Sequence, residues 1–100
     1  MEQKNLDNIE PENRINFVNT AIDNDGIPKY YANGFTFAAG NADFILVLQK
    51  NNRPELVVNL SLTIAKTLAE KLGDFIKNLE ENSGSKILTT NQIESALKKI

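Results

Sequence analysis

FILVLQKNNRPELVVNLSLTIAKTLAEKLGDFIKNLEE, residues 44–81, decides the fold. In its first five residues Phe44, Leu46 and Leu48 share one face of an extended chain while Ile45 and Val47 occupy the other, so neither face is polar. Such a pattern predicts a strand buried on both sides. A polar loop follows over Gln49 to Pro54. Glu55 to Leu60 then returns with cleaner alternation, Leu56, Val58 and Leu60 inward and Glu55, Val57 and Asn59 outward. The two runs predict an antiparallel hairpin. Ser61 offers a hydroxyl to the orphan amides of a following turn, the usual N-cap role. From Leu62 to about Glu81, Ala65, Leu68, Leu72, Phe75 and Leu79 recur at alternating steps of three and four, and Ile64, Ala69 and Ile76 widen that seam. This spacing predicts one long amphipathic helix. Gly73 inside it costs about 1 kcal/mol relative to Ala, a cost often accepted where another backbone approaches. Asn82-Ser83-Gly84 is a left-handed stop.

Towards the N-terminus, Tyr30 to Ala39 reads as an aromatic strand, with Tyr31, Phe35 and Phe37 on one face and Tyr30, Thr36 and Ala38 on the other. Asn33-Gly34 suits a hairpin turn, but Gly40-Asn41 offers a second turn so soon after it that a bulge at Gly34 is the better reading. Asp23-Asn24-Asp25-Gly26 predicts a turn in which the glycine takes positive φ. Pro11 to Ile22 is open to two readings. Pro11-Glu12 and the spacing of Ile15, Val18 and Ile22 suit a helix, whereas Asn13, Asn16, Asn19 and Thr20 are weak helix formers and tilt the reading to a strand. Met1 to Glu10 reads as a flexible polar tail. Beyond Gly84, Ile87 and Leu88 suggest a short extended piece. Thr89-Thr90-Asn91 precede a final helix from Gln92, with Asn91 and Glu94 at capping-box spacing and Ile93, Ala96, Leu97 and Ile100 as its stripe.

The order predicts a single α+β domain over residues 11–100, its core at 30–81. Its architecture is an antiparallel three- to four-stranded sheet followed by one long amphipathic helix and a short C-terminal helix. The 100 residues hold 41% hydrophobic and 24% charged side chains, the composition of a folded globular chain. The net charge of −2 comes from 11 basic and 13 acidic residues without a basic run, which disfavours a nucleic-acid partner. There is neither Cys nor His, so thiolate nucleophiles, imidazole bases and the commonest zinc sites are excluded. No phosphate loop or calcium loop is present, since Asp23-Asn24-Asp25-Gly26 fails downstream. No catalytic, cofactor-binding or metal-ligating residue is assigned. No apolar run is long enough to span a bilayer and Met1 to Asn8 is polar, so a cytoplasmic chain without a membrane partner is expected.

Tyr31-Ala32-Asn33-Gly34-Phe35, Asp43-Phe44 with Leu46 and Leu48, Val57-Val58, and Ala65, Lys66, Leu68 and Leu72 together resemble a family of short bacterial proteins known only as a domain of unknown function. Its signature is a Tyr-Ala-Asn run, an Asp-Phe before a strand and a closing helix. The resemblance covers roughly Tyr30 to Glu81 and implies no activity, ligand or catalytic residue. The strand order is also similar to that of the SecB family of export chaperones, which implies an oligomer of sheet-and-helix subunits.

One helix covers one sheet face. The other, expected to show Ile45, Val47 and Val57, calls for a cover, and a second copy of the chain is the expected one. The interaction candidates are therefore Ile45, Val47 and Val57, with Asn33 and Asp43 as polar contacts at the sheet edge and Tyr30 and Tyr31 as an aromatic platform. Asn33 and Asp43 also suit plain turn roles, and Tyr30 and Tyr31 a split between core and surface. The expected function is a non-enzymatic homo-oligomeric module that binds another protein. A SecB-like chaperone or a ribbon-helix-helix DNA-binding regulator are the alternatives.

Overall fold

A computed structural model describes residues 11–98. The elements run α1 (Pro11–Asp23), β1 (Gly34–Ala39), β2 (Asp43–Lys50), β3 (Arg53–Ser61), α2 (Leu62–Ser83) and α3 (Thr90–Lys98). The strands form one antiparallel sheet in the order β1-β2-β3, so the expected α+β class and its two C-terminal helices are what the chain adopts. The expected N-terminal tail and Ile100 lie outside the described residues. The described chain divides into two compact units. One holds the residues up to Thr36 with Val47–Leu56, the other Phe37–Leu46 with the residues from Val57 on.

The first unit corrects three expectations. Pro11–Asp23 is a helix rather than a strand: the proline at its start and the spacing of Ile15, Val18 and Ile22 outweigh the weak propensities of its asparagines, each worth only a few tenths of a kcal/mol, about 0.5 at most. The turn after it works through Asn24, whose Oδ1 accepts from the Gly26 amide at 2.8 Å and whose carbonyl accepts from the Ile27 amide at 3.0 Å. Gly26 does not take positive φ there. It supplies room instead, because a Cβ at that position would meet Asn24 Oδ1 at 3.1 Å. Lys29 Nζ then donates to the carbonyls of Asn24 and Ile27 at 2.7 and 2.8 Å, drawing the loop closed.

The third correction concerns Tyr30 to Ala39. The strand starts only at Gly34, and Asn33-Gly34 is neither a hairpin turn nor a positive-φ bulge. The tight turn lies at Asn51-Asn52 instead, with φ of 52° and 67°, the two positive values that a type I′ hairpin demands. Asparagine is among the few residues besides glycine that enter this region at small cost. The polar loop predicted over Gln49 to Pro54 thus shrinks to two residues, and both strands extend into it.

That short turn sets the register of the sheet. Lys50 faces Arg53, so Val47 faces Leu56 and Ile45 faces Val58, while Leu46 faces Val57. Val57 therefore lies on the opposite sheet face from Ile45 and Val47, a correction to their expected grouping. β2, the central strand, is half-buried from Phe44 to Gln49, and β3 alternates as expected, with Leu56, Val58 and Leu60 half-buried.

In the second unit β3 passes straight into α2. The switch is made by Ser61, extended at φ −63° and ψ 154°, whose Oγ accepts from the Ile64 amide at 3.1 Å. Gly84 closes the helix at φ 69°, its amide donating to the Glu80 carbonyl at 3.0 Å. Glu80 also accepts the Ile87 amide at 2.7 Å, tethering the following segment. α3 opens with a capping box one step earlier than the one expected at Asn91 and Glu94. Gln92 N donates to Thr89 Oγ1 at 3.2 Å and Thr89 N to Gln92 Oε1 at 2.9 Å. The pattern is the Thr-x-x-Gln form of the same device.

Candidate functional site

No described residue is buried. The expectation that α2 seals the inner sheet face is not met. Leu68, Leu72, Phe75 and Leu79 keep 46, 53, 65 and 46% of their surface exposed, and only Ala65, Ile76 and Glu80 on this helix are half-buried. Twenty large hydrophobic side chains among the described residues are exposed. The chain presents 9071 Å² to solvent, against about 5,700 Å² for a folded monomer of its 11.1 kDa.

Two surfaces in the second unit stand out. On the sheet, Phe37 and Phe44 stack at 5.5 Å between ring centroids with a 27° interplanar angle. Phe44 is half-buried whereas Phe37 is 59% exposed, so the pair presents one ring edge to solvent, on the same face as Leu46 and Val57. On α2, the bare ridge Ile64, Leu68, Leu72, Phe75 and Leu79 runs the length of the helix. Both are apolar surfaces of the kind that mark contacts with other proteins.

In the first unit the polar candidates are drawn into the sheet itself. Asn33 Nδ2 donates to Asn51 Oδ1 at 3.0 Å, and Asn33 Oδ1 accepts from the Asn51 amide at 2.9 Å. The Asn33 amide in turn donates to the Gln49 carbonyl at 2.9 Å. Asn33 thus latches the start of β1 to the β2–β3 turn. Thr36 Oγ1 donates to Gln49 Oε1 at 2.6 Å beside it. These amides and hydroxyls satisfy one another and activate no nucleophile. Lys50, Asn51, Arg53 and Glu55 line an open polar hollow at the hairpin tip.

The remaining candidates fall in different places. Asp43 opens β2, and its carbonyl accepts from the Gly40 amide at 2.7 Å, closing the β1–β2 turn. Tyr30 and Tyr31 precede β1 and are both exposed. Ile45 and Val47 are half-buried on the central strand, and Val57 is exposed. Phe37, Phe44 and the α2 ridge were not among the candidates, although their alternation and spacing were visible. What the sequence could not supply was which apolar stripe finds a partner within the chain.

Among the described residues no group of three or more Asp and Glu side chains is placed to hold a metal ion, and no helix is long and apolar enough to cross a membrane. No protein-family model, no curated protein and no solved structure matches this chain.

Proposed function

We propose that this chain is a non-catalytic protein-interaction module that works as a homo-oligomer. One observation carries the reading: the bare α2 ridge and the Phe37–Phe44 sheet patch lie in a chain whose surface exceeds that of a folded monomer by about 3,400 Å². Burial of apolar surface drives folding at roughly 25 cal/mol per Å², and a protomer that leaves this much uncovered gains that free energy by association. A typical stable interface buries about 800 Å² per partner, so the excess accommodates self-association and a further protein partner together. Light scattering tests the first part. A mass of at least two protomers at micromolar concentration supports it, and a monomer removes it.

A SecB-like holdase is the second reading, favoured by the exposed aromatic ring edge of Phe37. It predicts that the chain suppresses aggregation of an unfolded client and that Phe37→Ser abolishes the effect. A ribbon-helix-helix regulator fits less well, because the three strands form a continuous sheet within one chain and β3 would offer Glu55, Val57 and Asn59 to a DNA groove.

A further inference from the structure

We infer that a second copy of this chain lays its α2 antiparallel along the ridge Ile64, Leu68, Leu72, Phe75 and Leu79. The inference rests on the self-association proposed above and names its surface. At about 100° per residue the five side chains fall within an arc of roughly 80°. The half-buried Ala65, Ile76 and Glu80 occupy the adjoining arc. The apolar stripe of α2 is therefore divided: one part is used within the protomer and the other is left facing out.

Three features select a second α2, run antiparallel, as the occupant. The first is the uncovered area, several times the roughly 800 Å² per partner that a stable dimer needs. The second is charge. The N-terminal half of α2 carries Lys66, Glu70 and Lys71, two positive and one negative, whereas the C-terminal half carries Asp74, Lys77, Glu80 and Glu81, one positive and three negative. The first turn has no acidic residue and the last no basic one, so neither end of the helix dipole is offset by its own chain. An antiparallel partner sets the positive helix start and Lys66 beside Glu80 and Glu81, whereas a parallel partner stacks like on like. The third is spacing. About a two-fold axis near Leu72, Ile64 faces Leu79 and Leu68 faces Phe75, so the ridge complements itself as an isologous contact must.

The chain has no cysteine, which makes single-thiol cross-linking clean. Ile64→Cys and Leu79→Cys are prepared separately, each checked for wild-type helicity and mass, and treated with a bismaleimide of about 10 Å span. In an antiparallel pair each thiol is about 22 Å along the axis from its own symmetry mate, at 1.5 Å per residue, but level with the other variant's thiol. The expected result is a covalent dimer only when the two variants are mixed and refolded together. Cross-linking of either variant with itself means a parallel pair and overturns the inference. Absence of cross-links in a chain that sediments as an oligomer places self-association on another surface; this overturns the inference and leaves the proposed function standing. A chain that sediments as a monomer overturns both.

Discussion

Replacing Asn33 by alanine removes a latch that no other residue can supply. Its carboxamide donates to Asn51 Oδ1 and accepts from the Asn51 amide, and so pins the start of β1 to a turn whose two residues both sit at positive φ. Each such bond is worth about 0.5 to 1.5 kcal/mol net, and both lie at the surface, where water replaces part of the loss. The expected cost of Asn33→Ala is therefore about 1 to 2 kcal/mol. Asn33→Asp keeps an acceptor for the Asn51 amide, and the Asn51 carboxamide can turn its NH₂ towards the new carboxylate, so its cost is the smaller of the two. Asn51→Gly trades the side-chain bond for relief of the left-handed backbone and is expected to come out near neutral. In the Asn51→Gly background Asn33→Ala loses only the main-chain bond, so a double-mutant cycle should show a coupling of about 0.5 to 1 kcal/mol. Urea unfolding at one fixed protein concentration reads these values, and a slope near 1 kcal/mol/M makes the Asn33→Ala shift about 1 to 2 M. An Asn33→Ala midpoint within about 0.3 M of wild type, with zero coupling to Asn51, would refute the latch.

Four further outcomes follow from the geometry. Ser61→Ala loses the cap on Ile64 N and should cost about 1 kcal/mol in the same assay. Gly84→Ala forces a Cβ into φ 69° and should cost about 1 to 2 kcal/mol, with fraying of the last turn of α2 in amide exchange. Gly73→Ala should stabilise by up to about 1 kcal/mol without changing the assembled mass, because nothing lies within 4 Å of the added Cβ and the position is remote from the ridge. A loss of mass on that change would put a partner's backbone against Gly73. Phe37→Lys breaks the aromatic pair on the sheet and should leave the oligomer's mass unaltered while ending capture of any protein partner, read by light scattering and a binding assay.

The parts of this fold that local chemistry dictates were legible from residues alone. The period-two run of Phe44 to Leu48, the alternation of Leu56, Val58 and Leu60, the Ser61 cap and the Gly84 stop all fall where their spacing places them. What escaped was long-range. Asn33-Gly34 carries the strongest local turn signal in the chain, yet Asn33 is held by Asn51, eighteen residues away. Pro11–Asp23 was misjudged because weak propensities were weighed above the spacing of Ile15, Val18 and Ile22. The grouping of Val57 with Ile45 and Val47 failed for a sharper reason: sheet faces depend on register, and the register depends on a turn of two residues rather than six. The Phe37–Phe44 pair needed that same register to be seen.

The central claim is that this chain completes its core against copies of itself. Unfolding midpoints measured at 1 and 100 μM test it most directly, since an oligomer that dissociates as it unfolds gains about 2.7 kcal/mol of apparent stability over that range for a dimer. The account predicts that the midpoint rises with concentration, and more steeply for a larger assembly. A cooperative transition with the same midpoint at both concentrations, from a species of 11.1 kDa, would contradict it.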